Sequence, residues 1–329
     1  MTVGLHSVRP LPIRPTNTRI VGLGCARASR TVTASALTER FGKTAEWLLL
    51  RTGITEVQRL GPGETLPDLA AAAATRALVD ARVAPADVDV VLVATCSADQ
   101  NQGPLSRQVA ARVAPHAMSF DVNAACAGFC YALSTASGLI GTGAARRVLV
   151  IGAEQMSRLV DPADLGTSIL FGDGAGAVLV AAADDGDDRP GISAPAWSSD
   201  GAQAGLLEVP AGETALRMAG SEVFRWAVEE VHKVAATALA RAGVRAEDID
   251  VFVPHQANLR IVEATAKRLR ISRARTATDV VDSGNTSAAS IPLALTRLRE
   301  RGGSSRGQLA LLVGFGAGLS IAAQVVRLP

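Results

Sequence analysis

An internal repeat is the feature of this sequence that most constrains its fold. Residues 77–93 read ALVDARVAPADVDVVLV and residues 238–253 read ALARAGVRAEDIDVFV. Each segment has the pattern of a helix end, a short turn, an Asp-x-Asp sequence and a buried strand. The offset of 161 residues (248 − 87) that relates Asp87 to Asp248 also relates Cys126 to Ser287. The chain is therefore predicted to fold as two similar halves.

Other patterns extend this division along the chain. FGDGAGAVLV from Phe171 and GFGAGLSIAA from Gly314 repeat at a shorter offset and are interpreted as a further equivalent pair. Strands alternate with helices, which is typical of an α/β fold. An acidic, glycine-containing break near residue 185 divides an N-terminal half, residues 19–185, from a C-terminal half, residues 186–329. Residues 1–18 carry three prolines and predict a flexible tail.

Composition excludes several classes of protein. The 33 basic residues are balanced by 31 acidic ones, whereas a nucleic-acid-binding protein shows a strong basic excess. No apolar run reaches the length needed to cross a membrane. The N-terminal segment lacks the apolar core of a signal peptide, so the expected location is the cytoplasm. The four cysteines show no zinc-type pairing with histidine, and no metal site is predicted.

Cys126 is the candidate nucleophile. It directly follows a predicted strand, residues 118–122, and opens a predicted apolar helix, residues 127–141. A thiol at a helix N-terminus feels the positive end of the helix dipole, which favours the thiolate. Its small neighbours leave room for a substrate chain. The alternative is a buried structural cysteine, which is the commoner fate of a free cysteine.

His255 and Asn285 are candidate partners of this thiol. His255 lies where a predicted strand ends, at the sheet edge where α/β sites collect. Asn285 lies in a Gly-Asn sequence that by itself predicts a turn or a helix N-cap. The repeat, however, places Asn285 close to the counterpart of Cys126. Equivalent loops of two similar halves can face each other at one site.

Six segments, taken in order, resemble the β-ketoacyl-acyl-carrier-protein synthase III family along nearly the whole chain after the tail. They are EWLLLRTGI at Glu46, FDVNAACAGFCYAL at Phe120, GTSILFGDGAGAVL at Gly166, PHQANLRI at Pro254, GNTSAASIPLAL at Gly284 and GFGAGLS at Gly314. The resemblance implies the thiolase-like, five-layered αβαβα fold of two pseudo-symmetric halves, usually as a homodimer. It also implies an acyltransferase that uses an acyl carrier protein and needs no metal or dissociable cofactor.

The resemblance assigns roles to the candidate residues. Cys126 attacks an acyl thioester and becomes acylated. The backbone N–H of Cys126 and one near Gly316 and Ala317 form the oxyanion hole. His255 and Asn285 hydrogen-bond the thioester carbonyl of a malonyl extender. This stabilises the enolate left by the loss of carbon dioxide, and the enolate then attacks the acyl-cysteine.

Two further groups of residues match binding positions of the family. The tunnel for pantetheine and nucleotide is matched by Trp47, Arg51 and Asn258. A basic patch that receives the acidic carrier protein is matched by Arg225, Arg260, Lys267 and Arg268.

Two positions depart from the family's pattern. Leu165 stands where the family has an arginine that stacks with Trp47 on the adenine of coenzyme A. Gly103 stands where a phenylalanine closes the acyl pocket at the dimer contact. These departures predict an acyl group bulkier than acetyl and a preference for a carrier-protein donor. They fit a specialised branch that primes polyketide chains, or one that transfers an acyl group without condensation.

Other functions remain open at the level of sequence. A thiolase would carry a second catalytic cysteine near its C-terminus, but no cysteine follows Cys130. Hydroxymethylglutaryl synthase is the related alternative. A non-catalytic partner subunit would have lost the nucleophile, whereas Cys126, His255 and Asn285 are all present. A hydrolase would have only His255 as a water-activating base.

Overall fold

The computed structural model describes residues 18–183 and 191–329. The predicted boundary near residue 185 and residues 1–17 of the predicted tail lie outside these ranges. Thr18, the last residue of the predicted tail, is buried and begins the first strand, because the sheet extends one residue further than the sequence pattern indicates.

The first half contains one five-stranded sheet and a separate antiparallel pair of strands. Its strands are β1 (Thr18–Arg27), β2 (Arg30–Thr33), β3 (Glu56–Arg59), β4 (Val90–Ala94), β5 (Met118–Val122), β6 (Arg147–Gln155) and β7 (Asp173–Ala182). Its helices are α1 (Ala34–Thr38), α2 (Ala45–Thr52), α3 (Leu66–Ala81), α4 (Leu105–Val113), α5 (Gly128–Gly141) and α6 (Leu165–Ser168). The sheet has the order β1-β7-β6-β4-β5, and β2 pairs with β3.

The second half repeats this arrangement. Its strands are β8 (Ala196–Ser199), β9 (Leu207–Glu208), β10 (Arg217–Met218), β11 (Val251–Pro254), β12 (Arg275–Thr276), β13 (Leu309–Gly316) and β14 (Ser320–Arg327). Its helices are α7 (Gly220–Ala242), α8 (Leu259–Leu269), α9 (Val280–Ser283) and α10 (Ser290–Glu300). The sheet order β8-β14-β13-β11-β12 matches that of the first sheet. In both sheets the central strand is parallel to one neighbour, β6 to β4 and β13 to β11, and antiparallel to the other.

Side-chain alternation along the strands builds the layers. In β4, Val90 and Leu92 face the cluster that contains α5 and α10, whereas Val91 and Val93 face α3 and α4. The apolar run is therefore buried on both faces, as predicted. The outer face of the second sheet is covered by α7 and α8. The order α3/α4, sheet, α5/α10, sheet, α7/α8 confirms the predicted five-layered fold. Within the described residues, no helix is long and apolar enough to cross a membrane.

The repeat of the Asp-x-Asp segments is confirmed in detail. Asp89 accepts hydrogen bonds from the backbone N–H groups of Arg147, which begins β6, and of the preceding Arg146. Asp250 accepts the equivalent bond from the N–H of Leu309, which begins β13. In both halves the second aspartate therefore ties a central strand to its parallel neighbour.

The predicted equivalence of the segments that begin at Phe171 and Gly314, which matched Gly172 to Gly314, is wrong. Gly314 lies inside β13 and pairs with β14, as Gly152 lies inside β6 and pairs with β7. The counterpart of Gly314 is therefore Gly152, at an offset of 162 (314 − 152), whereas Gly172 precedes β7. Short glycine- and alanine-rich segments align by composition, and topology alone reveals the mismatch.

Candidate active site

Both halves contribute to one cavity of about 910 Å³, and the three candidate catalytic residues all line it. Cys126, His255 and Asn285 are buried, with 6%, 1% and 6% of their surface exposed. The structure thus brings together three residues that are distant in sequence.

The turn before α5 presents the Cys126 thiol. Ala125 has a positive φ of 45°, which turns the chain sharply from β5 into the helix. Gly316 packs directly against this turn, because a Cβ there would lie 2.7 Å from the Cβ and 3.0 Å from the backbone nitrogen of Cys126. Only glycine allows this approach. Gly316 and Ala317 line the cavity beside Cys126, as the predicted oxyanion hole requires.

Burial decides the protonation of the thiol. It raises the pKa of the Cys126 thiol to about 12, against the lowering effect of a hydrogen bond with the Ser287 hydroxyl. The negative charge of Glu154 raises this pKa further. The expectation that the helix N-terminus favours a thiolate is therefore wrong for the unliganded site, where desolvation prevails.

His255 follows β11 and is held on three sides. Its backbone N–H donates to the carbonyl of Val313 at 2.7 Å. Its Nδ1 lies 2.7 Å from Oγ of Ser290. Its ring packs edge-on against Phe315, with ring centres 5.0 Å apart. Burial lowers the pKa of His255 to about 3, so the imidazole is neutral at physiological pH.

Asn285 is oriented by its own loop. Its Oδ1 accepts a hydrogen bond from the backbone N–H of Ser287 at 2.9 Å. Its backbone N–H donates to the carbonyl of Leu170 at 2.8 Å, and its carbonyl accepts from the N–H of Gly172 at 3.0 Å. Because the side-chain oxygen is engaged by the turn, the NH₂ group is the part of the amide left for a ligand in the cavity.

The loop before Cys126 has the same construction. Oδ1 of Asn123 accepts from the N–H of Ala125 at 3.2 Å, and Asn123 also lines the cavity. Asn123 and Asn285 are 162 residues apart, and Ser287 has a φ of 47° like that of Ala125. The counterpart of Cys126 is therefore Ala288. The predicted match to Ser287 is wrong by one residue, because the offset between the halves is 162 residues at these turns and 161 at the Asp-x-Asp segments.

The sequence did not single out several residues at this site. Cys96 lies with Sγ 3.4 Å from Oγ of Ser287 and 3.9 Å from Sδ of Met156. Ser290 binds His255, as described above. Cys96 and Asn123 follow β4 and β5, so the rule that α/β sites collect at the carboxyl ends of parallel strands could have found both. Ser290 carried no comparable signal.

A buried carboxylate lies behind the nucleophile. Glu154 is fully buried and accepts hydrogen bonds from the backbone N–H groups of Cys96 at 3.1 Å, Ser97 at 3.1 Å and Ala288 at 3.4 Å. The hydroxyls of Thr95 and Ser97 also donate to it. This carboxylate therefore joins the two halves next to Cys126.

The predicted tunnel residues lie at the same cavity. Trp47 has the guanidinium of Arg51 at 5.3 Å and the ammonium of Lys43 at 5.7 Å from its ring centre. Nδ2 of Asn258 donates to the carbonyl of Arg51 at 3.3 Å. Leu165 also lines the cavity and packs in the same apolar cluster as Trp47. Arg158 does not replace the arginine that the family has at position 165. It pairs with Asp99 at 3.0 Å beside a different cavity.

The remaining predicted residues lie on the surface. Arg225 on α7 and three residues of α8, Arg260, Lys267 and Arg268, are exposed. The guanidinium of Arg260 lies 5.7 Å from the ring of Phe224, and both line the cavity. Gly103 is exposed and does not line this cavity within the chain.

No group of three or more His, Cys, Asp or Glu side chains among residues 18–183 and 191–329 is arranged to hold a metal ion.

Comparison with known proteins identifies the family. Residues 120–201 match the model of 3-oxoacyl-(acyl-carrier-protein) synthase III, and residues 239–328 match the model of its C-terminal part. The chain is 42% identical over 312 residues to β-ketoacyl-(acyl-carrier-protein) synthase III 2 of Streptomyces avermitilis, covering 94% of this chain and 99% of that protein. It is 45% identical over 317 residues to the corresponding synthase III of Roseobacter denitrificans, covering 94% and 98%.

A solved structure agrees with these matches. The priming β-ketosynthase of a polyketide biosynthetic pathway superposes with a TM-score of 0.91 at 40% identity, and 98% of each chain is covered. Because the family models, the sequence identity and the superposition agree, the chain belongs to the 3-oxoacyl-(acyl-carrier-protein) synthase III family of condensing acyltransferases.

Proposed function

We propose that this protein forms an acyl-cysteine at Cys126 from an acyl thioester and condenses the acyl group with a malonyl thioester on acyl carrier protein. The observation that carries this proposal is one cavity containing a thiol, a neutral imidazole and an oriented carboxamide. The thiol suits acyl transfer, and the other two are hydrogen-bond donors for an enolate oxygen. The relatives named above are synthases of the same type.

In the first half-reaction, Sγ of Cys126 attacks the thioester carbonyl. The bond to the pantetheine sulfur breaks as the new carbon–sulfur bond forms, and the thiol proton passes to the departing sulfur. The backbone N–H groups of Cys126 and Gly316 are the donors for the intermediate oxyanion. Because the resting thiol is neutral, this proton transfer accompanies the attack. A thioester is already activated, so the reaction needs no metal or redox cofactor.

In the second half-reaction, the malonyl carboxylate leaves as carbon dioxide. The electron pair of the broken carbon–carbon bond forms an enolate, whose oxygen is held by His255 and Asn285. The enolate carbon attacks the acyl-cysteine, and the tetrahedral intermediate releases the 3-oxoacyl product. The released sulfur of Cys126 takes up a proton from solvent.

The hydrogen bond to Ser290 favours His255 as a donor rather than a base. The N–H of Gln256 donates to Oγ of Ser290 at 3.3 Å, so that oxygen already acts as an acceptor. Among the described residues, Nδ1 of His255 is the acceptor within reach of the hydroxyl proton. This arrangement leaves the imidazole proton on Nε2, facing a ligand as a donor. Condensation is therefore favoured over transfer to another acceptor with His255 as general base.

An exposed basic group that includes the cavity-lining Arg260 supports acyl carrier protein as the donor and acceptor partner. Arg225, Arg260, Lys267 and Arg268 form an exposed basic group on two neighbouring helices, suited to acidic carrier side chains. Leu165 supplies no charge or plane to clamp an adenine against Trp47. Coenzyme A thus loses part of its binding site, whereas the pantetheine arm of a carrier does not.

We expect Leu165→Arg to improve the reaction with acyl-coenzyme A about fivefold, because a guanidinium stacked on an aromatic ring contributes on the order of 1 kcal/mol. The same acyl group on the carrier protein should react at an unchanged rate. Leu165→Met, which keeps the volume without the charge, is the control. Acylation of Cys126 measured by intact-protein mass spectrometry tests this. An equal gain for both donors would contradict the proposal.

An exposed sheet edge supports a homodimer. β5 is the terminal strand of the first sheet, and its Met118 is 56% exposed. An unpaired apolar edge promotes pairing with another strand. A second copy at this edge would bring the loop that carries Gly103 near the neighbouring acyl pocket. We propose that this dimer forms in the cytoplasm. Sedimentation of the Met118→Lys variant, compared with that of the unchanged protein, tests whether the β5 edge forms the interface.

The decisive experiment combines both half-reactions. The protein is incubated with an acyl thioester, then with malonyl-acyl carrier protein, and both the enzyme and the carrier are weighed by mass spectrometry. We expect an acyl adduct at Cys126 that disappears as 3-oxoacyl carrier protein forms. An adduct without malonyl decarboxylation would favour simple acyl transfer. The absence of any adduct would favour a non-catalytic partner subunit.

A further inference from the structure

The carboxamide of Asn123 has no part in the chemistry described so far. Its Oδ1 accepts from Ala125, which leaves its NH₂ group available. Nothing in the described part of the chain accepts a hydrogen bond from Nδ2, and the residue is exposed and lines the cavity. It is built like Asn285, whose NH₂ group is also available, but it comes from the other half.

Asn123 lies three residues before Cys126 and lines the same cavity. It follows β5, the neighbour of β4, and the two strand ends are joined by the bond from Thr95 N–H to the carbonyl of Val122 at 3.2 Å. Cys96 follows β4 and contacts Met156. Asn123, Cys96 and Met156 thus belong to the wall that the first half supplies. His255 and Asn285, which receive the malonyl group, come from the second half.

We propose that Asn123 is a specificity-determining residue for the acyl group on Cys126. Its Nδ2 donates a hydrogen bond to an oxygen of the acyl chain, so the preferred substrate is an acyl thioester with an ether, hydroxyl or carbonyl oxygen near the thioester. This inference rests on the proposed function.

The chemistry of the wall gives the proposal its selectivity. Met156 and Leu159 also line the cavity. Their apolar side chains can bind a hydrocarbon chain but cannot replace the water that hydrogen-bonds an N–H group. An all-carbon acyl chain would displace that water without providing an acceptor. A site built around a donor therefore discriminates against substrates that lack the matching oxygen.

The test uses acyl pairs that differ by one atom. Butanoyl is compared with methoxyacetyl, and pentanoyl with 3-methoxypropanoyl, each on the same carrier. Asn123→Asp keeps an oxygen for the N–H of Ala125 and removes the NH₂ group. Gln308→Glu makes the same amide-to-carboxylate change at a residue that does not line the cavity and whose Oε1 also accepts from a nearby backbone N–H, that of Ser305. It is the matched control. The rate of acylation of Cys126 is followed by mass spectrometry.

The result is read as the ratio of rates within each pair, compared between proteins. This ratio of ratios cancels the different intrinsic reactivity of the thioesters and any general effect of the new charge on Cys126. We expect Asn123→Asp to lower the preference for the oxygen-containing member of at least one pair about tenfold, and Gln308→Glu to leave it unchanged. An unchanged preference in Asn123→Asp overturns the inference. Failure of every thioester to acylate the unaltered protein would instead overturn the proposed function.

Discussion

The turn that carries Cys126 and the turn that carries Ala288 share one backbone and differ in what surrounds them. Each begins with an asparagine that caps its own loop, passes through a residue with positive φ and leads into a central helix. Beside Cys126 stands Gly316, whose missing side chain lets its backbone approach the backbone nitrogen of Cys126. At the equivalent place beside Ala288 stands Glu154, whose carboxylate accepts from the N–H of Ala288 at 3.4 Å.

This difference shows how one of two similar turns becomes a reaction site. The first turn keeps its N–H donors for a substrate oxygen. The second holds a carboxylate of the protein where such an oxygen would bind. The backbone geometry is thus common to both halves, and the side chains at two equivalent positions decide which turn is open.

The packing of the halves explains why residues from both turns meet. Gly314 of β13 lies against Ala127 of the first turn, and Gly152 of β6 lies against Ala288 of the second. Each turn is therefore inserted against the central strand of the opposite sheet. In this way Asn285, which belongs to the second turn, reaches the cavity of Cys126.

The largest effect on activity is expected when the nucleophile at the first turn is removed. Cys126→Ala should abolish the acyl adduct and turnover, because no other group at the open turn can form a thioester. Cys130→Ala, one helical turn further along α5 and fully buried, is the control and should retain the adduct. Mass spectrometry of the digested protein checks both. An adduct that persists on Cys96 or Cys130 would refute the assignment.

The loop that carries Asn285 is expected to act in malonyl decarboxylation and not in the acylation of Cys126. Asn285→Asp keeps the oxygen that the turn needs and removes the donor, so malonyl decarboxylation should fall about a hundredfold or more. His255→Ala should have a similar effect. Acylation of Cys126, measured in the same samples, serves as the internal control and should change little. Equal losses in both half-reactions would show that the loop has only a structural role.

Much of this architecture could be predicted from the sequence, because it depends on local patterns. The buried run in β4, the strand before Cys126 and the helix after it follow from periodicity and small residues. The Asp-x-Asp repeat indicated two halves because each second aspartate ties two strands together. Cys126 and His255 could be selected because each follows a predicted strand. Asn285 could be selected because the repeat places it close to the counterpart of Cys126.

The features of the site that could not be predicted from the sequence depend on contacts between distant segments. The protonation of Cys126 reversed the expectation because desolvation comes from both halves, whereas the helix dipole can be inferred from one. Glu154 looked like an ordinary strand residue, and Ser290 like a helix residue. Gly103 lies away from the cavity of its own chain, so its predicted role requires a second copy.

The third prediction concerns how His255 at the open turn is held. Ser290→Ala should lower malonyl decarboxylation about tenfold by removing the hydrogen bond that fixes the ring and its proton, and Ser290→Thr should restore most of it. Because burial lowers the pKa of His255 to about 3, the imidazole stays neutral and the unaltered enzyme should show no titration near pH 6.5. A rate that changes with a midpoint near 6.5, or an equal loss of acylation, would contradict this assignment.

The smallest effect on activity is expected at the closed turn. Glu154 receives donors from Cys96, Ser97 and Ala288, and an amide at this position would turn an N–H group toward at least one of them. Glu154→Gln should therefore lower the free energy of unfolding by about 1–3 kcal/mol, measured by denaturant titration. Acylation of Cys126 at a temperature where the variant is folded should change only a few-fold. Ser97→Ala, which removes one donor and leaves the carboxylate, should cost less stability. If Glu154→Gln instead abolished acylation with unchanged stability, the carboxylate would belong to the chemistry of the open turn, and the contrast between the two turns would be wrong.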